Sequence, residues 1–433
     1  MSHEKAAEER ALRAATARRR LALGCALILA PLFGGITSCS AERSGPPDST
    51  SPYDAARDVS LGRAGDDPGR AVDPARPLKI TARTDGVRIT DVSARDQAGR
   101  MIAGELDADG SAWRSTTPLA AGAEYTVRIA TEDAEGRPGR STHVLRTAAG
   151  EQTEELRVEF GPEPGTYGVG HPVIAELSAP VADPEQRAVV ERSLRVTSEP
   201  AAEGSWYWVE DDLLHYRPRE YWPAGATIRA SAGLEGLRIR EGLRGGESEE
   251  LVFRTGDRVE AVADIAGLTL TVRRNGEVVR QMPMTTGKEG FRTRNGKKVI
   301  LGRESYVRMR GTSVGIAAGS AEDYDLDVYW AARLTWSGEY VHAAPWSIGS
   351  HGVANVSHGC TGLSTENAKW FFDNIRVGDI VEHINGYGPD MAFFGNGFGD
   401  WNMEWEEWRK GSALTADDPD RPDTSPHRLH PSV

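Results

Sequence analysis

Cysteine is scarce in this chain, whose 433 residues contain only three, at positions 25, 39 and 360. Three cysteines offer no disulfide framework of the kind that stabilises small exported domains. The chain also lacks an excess of positive charge, because its formal net charge at pH 7 is −13. An acidic protein is repelled by phosphate backbones and anionic surfaces, so we expect no nucleic-acid partner.

The apolar run from Leu21 to Phe33 is too short to span a bilayer, which takes about 20 residues as a helix. It follows the basic segment Arg18-Arg19-Arg20 and is followed by Ile36-Thr37-Ser38-Cys39. This order is typical of a secretory precursor, and the last four residues resemble a lipoprotein signal in which Cys39 is lipidated. The alternative is an ordinary secretory signal with a chance cysteine. We expect a signal peptide over 1–38 and a mature protein that is lipid-anchored to the membrane through Cys39.

A chain of this length is too long for one hydrophobic core, so we expect several domains. Residues 39–75 are rich in Ser, Pro, Gly, Asp and Arg, which predicts a flexible tether. Short alternating apolar runs separated by turn signals then predict two small β-sandwiches, over 76–150 and 151–257. Neither sandwich contains a catalytic grouping, so we expect both to act as spacers.

A third block, over 258–410, is predicted to be β-rich with at least one helix. Asn275-Gly276 between two alternating runs is a strong hairpin signal, and a second predicted hairpin, turning at Ser337-Gly338, places His342 at a strand end. Three tryptophans at helical spacing, the first at Trp401, predict a helix that packs on this block. Residues 411–433 are polar and predict a disordered tail.

Cys360 is the only cysteine outside the leader region, and it lies in the string Ser357-His358-Gly359-Cys360. A thiol attacks carbonyls as a thiolate, so a catalytic cysteine needs a nearby base. His342 and His358 are the candidates, whereas a buried, inert cysteine is the alternative that the packed string disfavours.

A helix is predicted to begin shortly after the cysteine. Ser364 is typical of an N-cap residue, and Gly378 is placed as the residue that ends the helix. Partial positive charge at a helix N-terminus favours a thiolate, so we expect the helix to assist Cys360.

The stretch from His342 to Cys360 resembles the signature of the L,D-transpeptidases, cysteine enzymes that cross-link bacterial peptidoglycan, and the two sandwiches resemble the immunoglobulin-like modules of one branch of that family. The likeness extends over roughly 259–410. It implies that the carbonyl of Ala343, where relatives often carry Ser, orients His342, and that Tyr324 caps the pocket. Ser337, Gly338 and Gly362 match substrate-binding positions, although Gly362 replaces a frequent Asn. The implied fold is mainly β, with two immunoglobulin-like β-sandwiches before the catalytic domain.

The reaction we expect is acyl transfer. Cys360 attacks the stem peptide, His342 transfers the proton, and backbone N–H groups of Gly359 and Cys360 hold the oxyanion. Ser357 and His358 shape and support the turn. We expect no metal and no cofactor, because the spacing of one Cys and three His matches no usual zinc pattern.

The implied partners are donor and acceptor stem peptides of peptidoglycan, and the implied place is outside the cytoplasmic membrane, facing the cell wall. We expect cross-links between third-position diamino acids, release of D-alanine, and acylation by β-lactams. We expect a monomer. The alternatives are an L,D-carboxypeptidase that uses water as acceptor and a non-catalytic anchored wall-binding protein.

The anchoring hypothesis predicts the behaviour of Cys39→Ser. Without the thiol that accepts the lipid, the protein should be released into the medium or remain an unprocessed precursor. Fractionation of cells followed by immunoblotting measures this. Unchanged membrane retention together with normal processing would contradict lipidation at Cys39.

Overall fold

The computed structural model describes residues 52–62, 71–97, 100–117, 119–149 and 154–414. The predicted signal peptide, Cys39 and all but the first few residues of the predicted tail lie outside these ranges. No helix within the described ranges is both long and apolar enough to cross a membrane.

The first β-sandwich is formed by strands β1 to β9. One sheet has the order β1-β9-β8-β4-β5 and the other β2-β3-β7-β6, and their inward faces enclose a core that includes Leu78, Ile89 and Trp113. The strands are β1 Tyr53–Asp54, β2 Val59–Leu61, β3 Lys79–Ala82, β4 Arg88–Asp96, β5 Met101–Ile102, β6 Gly104–Leu106, β7 Ala112–Ser115, β8 Glu124–Glu132 and β9 Pro138–Arg146.

The expected tether over 39–75 is wrong for its described C-terminal part. Strand β1 pairs with β9, and β2 pairs with β3. Val59 is buried in the core of the sandwich. The composition of 39–75 is polar on average, but within its described part Ala55, Val59 and Val72 are buried.

The second β-sandwich packs the sheet β11-β13-β16-β15 on the sheet β12-β20-β17-β14, with a small third sheet β10-β19-β18. It contains a helix that we did not predict, α1 Pro184–Ser193, which begins at the N-cap Asp183. The strands are β10 Glu154–Leu156, β11 Val158–Gly161, β12 Thr166–Tyr167, β13 Val173–Leu177, β14 Leu194–Glu199, β15 Gly204–Trp208, β16 Leu213–Pro218, β17 Thr227–Ala232, β18 Arg238–Arg240, β19 Leu243–Gly245 and β20 Leu251–Thr255.

The third block contains two sheets with the orders β23-β22-β21-β29-β24 and β25-β26-β27-β28. Helix α2, Thr365–Asn374, contacts the second sheet and contributes Ala368 and Phe371 to the shared core. The strands are β21 Val259–Asp264, β22 Thr269–Arg274, β23 Glu277–Pro283, β24 Gly296–Val299, β25 Gly302–Arg310, β26 Asp325–Arg333, β27 Tyr340–Ala343, β28 Thr361–Leu363 and β29 Ile380–Ile384. The predicted fold class, two β-sandwiches followed by a β-rich unit, is confirmed.

Local turn chemistry explains the first hairpin of this block. Asn275 and Gly276 both have positive φ, at 51° and 90°, as a tight two-residue turn requires. Strands β22 and β23 pair from Arg274 and Glu277 outward. The second predicted hairpin is looser than expected, because β26 ends at Arg333 and a six-residue loop, 334–339, leads into β27.

Two expectations about helices are wrong. Helix α2 has the predicted N-cap Ser364, but it ends at Asn374, so Gly378 does not terminate it. Strand β28 also separates Cys360 from the helix. The dipole effect is confined to about the first helical turn, so this helix end gives no direct support to a thiolate.

The tryptophan-rich segment forms a 3₁₀ turn, Asp400–Asn402, and a short helix, α3 Trp405–Arg409, instead of one continuous helix. It packs on the second sandwich as well as on the third block. The Trp408 indole N–H donates to the carbonyl of Ser205, at 2.9 Å, and Trp401 lies against Ile380 and Val299. The predicted packing face therefore bridges the two units.

The second sandwich and the third block share a buried interface, which differs from the expected role as a simple spacer. Gly168 and Gly170 donate backbone hydrogen bonds to the carbonyls of Val377 and Gly378, at 2.8 and 2.9 Å. His215 Nδ1 lies 2.7 Å from the Asp400 carboxylate, and both side chains are buried. Buried polar groups that lose their partners cost free energy. We therefore expect the second sandwich and the third block to unfold together.

This interface predicts that Gly168→Ala destabilises the protein. A Cβ atom at this position would lie 2.1 Å from the Asp379 nitrogen and 2.2 Å from the Gly378 carbonyl carbon, both in backbone that cannot move aside. Overpacking of this type costs roughly 1–3 kcal/mol. Thermal unfolding should show a lower midpoint for this variant. Gly302→Ala is the matched control, because its Cβ atom would meet nothing within 4 Å; equal midpoints for the two variants would contradict the account.

Candidate active site

A cavity of about 260 Å³ in the third block brings together Cys360, His342, His358 and Tyr324. Its mostly apolar wall includes Met309, Leu326, Val328, Trp346 and Val356. These wall residues were not singled out in the sequence, because they come from separate strands and loops.

The parallel pairing of β27 with β28 brings the cysteine and the histidine to the same cavity. Val341 pairs with Thr361, and His342 pairs with Gly362. Cys360 directly precedes this ladder, so its side chain lies at the edge of the sheet on which His342 is held. The segment between the strands, 344–360, folds over the sheet edge and supplies much of the cavity wall.

His342 is oriented by a backbone carbonyl. Its Nδ1 lies 2.7 Å from the oxygen of Ala343. A carbonyl oxygen only accepts, so Nδ1 carries the proton and Nε2 is left as a proton acceptor. Burial lowers the pKa of His342 to about 4, with the Ala343 carbonyl opposing this shift. The imidazole is therefore a neutral base over the whole range above about pH 4.

The Cys360 thiol is held as a neutral group. Its sulfur lies 3.4 Å from the carbonyl of Gly338, which accepts the S–H. Burial raises the pKa of Cys360 to about 12; the Tyr340 backbone N–H lowers it, Glu339 raises it and Lys298 lowers it. Thiol and imidazole are both uncharged at rest, so the arrangement favours proton transfer at the moment of attack over a preformed ion pair.

The turn before the cysteine differs from the expected oxyanion site. Gly359 has φ of +119°, which favours glycine, but its N–H donates to Ser357 Oγ at 3.1 Å. Ser357 Oγ in turn donates to the Cys360 carbonyl at 2.6 Å. The Cys360 N–H makes no hydrogen bond within the described part of the chain. One of the two expected donors is thus engaged in the turn, and Ser357 fixes the turn from within.

His358 is bound away from the thiol. Its Nε2 lies 2.7 Å from the carboxylate of Glu322, which also pairs with Lys288. The ring packs between Phe291 and Tyr324, with centroid distances of 4.7 and 5.1 Å. This arrangement favours the supporting role expected for His358. Glu322 was missed, because its loop gives no sequence signal for this contact.

The other predicted residues lie around the same cavity or its rim. Tyr324 and Gly362 line it, and a Cβ atom at Gly362 would meet Thr285 and Ala344 at 2.9 and 3.0 Å, so the site is shaped for glycine. The carbonyl of Gly338 contacts the Cys360 sulfur. Ser337 faces the loop instead, where its N–H donates to Asn396 at 2.8 Å.

Metal-binding side chains are not grouped in this region. Among the described residues, no set of three or more His, Cys, Asp or Glu could hold a metal ion.

This geometry predicts different pH profiles for two histidine variants. His342→Ala removes the neutral base, so acyl transfer should fall by about 10²–10⁴, and alkylation of Cys360 should require a higher pH. His358→Ala keeps the base and should change that profile less. Alkylation rate measured against pH for both variants, with thermal midpoints as a folding control, compares them. A profile displaced only by His358→Ala would reverse the assignment.

Comparison with protein families gives two matches. The pattern described as "Bacterial Ig domain" matches residues 69–238, and the pattern described as "L,D-transpeptidase catalytic domain" matches residues 258–382. The second match covers β21 to β28 and most of β29, and therefore the cavity.

Curated relatives come from Mycobacterium tuberculosis. L,D-transpeptidase 2 is 33% identical over 409 residues, which covers 93% of this chain and 98% of the relative. L,D-transpeptidase 1 is 42% identical over 217 residues, which covers 50% of this chain and 80% of the relative. Among solved structures, an L,D-transpeptidase from Mycobacterium smegmatis is 40% identical with a TM-score of 0.44, covering 53% of this chain and 99% of that one.

Proposed function

Because this chain belongs to the L,D-transpeptidase family, we propose that it cross-links peptidoglycan stem peptides through a thioester on Cys360. The observation that carries the proposal is the meeting of Cys360 and His342 in one cavity, with Nδ1 of His342 bonded to Ala343 and Nε2 free to accept a proton. The catalytic groups all lie within residues 258–410, which we propose as the catalytic domain.

The first half-reaction forms the acyl-enzyme. The Cys360 sulfur attacks the carbonyl of the L-centre that precedes the terminal D-alanine, while His342 Nε2 takes the thiol proton. The Cys360 N–H, for which no acceptor is found among the described residues, would hold the oxyanion. His342 then gives its proton to the departing amine, so that D-alanine leaves and a thioester remains.

The second half-reaction transfers the acyl group. A side-chain amine of a third-position diamino acid attacks the thioester carbonyl and loses a proton to His342. The tetrahedral intermediate collapses, an amide forms, and the sulfur leaves and recovers its proton from His342. The second half-reaction thus returns Cys360 to the thiol form, which its raised pKa favours at neutral pH.

We also propose that the protein works outside the cytoplasmic membrane, anchored through Cys39. The family acts on the cell wall, and the leader has the order expected of an exported lipoprotein. The described sandwiches β1–β9 and β10–β20 then lie between the anchor and the catalytic domain along the chain.

Incubation of the purified protein with disaccharide-tetrapeptide tests the proposal. Mass spectrometry of the products should show dimers joined through third-position residues, together with free D-alanine in equal amount. Cys360→Ala should form neither. A purified protein that begins at residue 40, without the anchoring cysteine, lacks Cys25 and Cys39, so Cys360 is then its only thiol.

Two outcomes would overturn the transpeptidase assignment. Free D-alanine with only monomeric tripeptide products would indicate the carboxypeptidase, with water as acceptor. Cross-linked dimers formed equally by Cys360→Ala would show that the reaction does not use this thiol.

A further inference from the structure

A buried lysine lies behind the proposed nucleophile, on the side away from the cavity. Lys298, on β24, has a fully buried side chain. Its Nζ lies 2.7 Å from a carboxylate oxygen of Glu339, 2.8 Å from the Arg294 carbonyl and 3.3 Å from Nδ1 of His383. Lysine is rarely buried completely, because desolvating an ammonium costs several kcal/mol unless it is paired and hydrogen-bonded.

The lysine is linked to both chain segments that meet at the thiol, to one through Glu339 and to the other through His383. Glu339 directly follows Gly338, whose carbonyl accepts the Cys360 S–H. On the other side, His383 Nε2 lies 2.8 Å from Oγ1 of Thr361, which directly follows Cys360. Since Lys298 donates to Nδ1, the proton of the neutral His383 ring is on Nε2, which donates to Thr361.

The Glu339 carboxylate near the thiol is shared by two cations, Lys298 and Arg294. Glu339 also binds Arg294, at 2.8 Å, and the negative charge of Glu339 opposes a thiolate while the ammonium of Lys298 favours it. Burial keeps His383 neutral by lowering its pKa well below the usual value. The other titratable groups that face Cys360 from the surrounding elements are His342, His358, Tyr324 and Tyr340.

We propose that Lys298 is a positioning residue for Cys360: its buried ammonium offsets Glu339 behind the sulfur and, through Glu339 and His383, fixes the two segments that meet there. The inference rests on the proposed role of Cys360 as nucleophile. The ammonium of Lys298 stabilises the thiolate of Cys360 when it forms, because charges interact strongly across a low-dielectric interior even without direct contact.

Opposite effects of the two partners test this proposal. In the full chain, Lys298→Met removes one of the two cations paired with Glu339 and leaves only Arg294. Alkylation of Cys360 by iodoacetamide at a fixed pH should therefore slow by about tenfold, which corresponds to one pKa unit. Glu339→Gln removes the opposing charge and should accelerate alkylation. The double variant should lie between the two single variants.

A purely structural role would change the rate in the same direction in both single variants, which would overturn the proposal, as would unchanged rates. The matched controls are Lys410→Met and Glu407→Gln. They disrupt an exposed ion pair near the C-terminal end of the described chain and should leave the alkylation rate of Cys360 equal to that of the parent protein. Should Lys298→Met not fold, Glu339→Gln decides alone: faster alkylation supports the proposal, and an equal or slower rate overturns it.

Failure of this inference is separable from failure of the proposed function. Alkylation reports on the thiol without any stem peptide. If the parent and the Lys298 and Glu339 variants are alkylated at equal rates while the protein still cross-links through Cys360, only the role of Lys298 is overturned. Cross-linking that survives Cys360→Ala overturns the proposed function itself.

Discussion

The parallel pairing of β27 with β28 is the constraint on which the site depends. Register fixes the pair His342 and Gly362, and a slip of one residue would turn every side chain to the opposite face. Parallel neighbours need a long connection, and that connection, 344–360, folds back as a wall of the cavity. The proposed nucleophile, its proposed base and the cavity that they line therefore arise from one piece of topology.

The burial of this arrangement sets the chemistry. Burial raises the pKa of Cys360 and lowers that of His342, so both groups rest uncharged. In the proposed mechanism, charge appears as the thiol attacks, and a low-dielectric surrounding strengthens the interaction of that charge with fixed dipoles and charges. The Tyr340 N–H and the ammonium of Lys298 favour the thiolate, and Glu339 opposes it. We therefore propose that the reactivity of Cys360 depends on Glu339 and Lys298 as well as on His342.

The sequence predicted those features that are coded locally. The Asn275-Gly276 turn, the N-cap Ser364 and the mainly β fold follow from turn chemistry and alternation, and the string ending at Cys360 resembles a family signature. Long-range features were missed. Three such features are the end of helix α2, the strands β1 and β2 in the predicted tether, and the burial of Lys298. Each depends on residues distant in the chain; for Lys298 these are Glu339 and His383. No periodicity reports such contacts.

Intact-mass measurement of the protein during turnover of a stem-peptide donor is the sharpest test of a thioester on Cys360. The account predicts a transient mass increase equal to the donor tripeptide acyl group, and peptide mapping after acid quench should locate it on Cys360. The adduct should accumulate when the acceptor amine is blocked, because the second half-reaction then stops. An adduct on any other residue, or cross-linked product without an adduct on Cys360, would contradict the thioester mechanism.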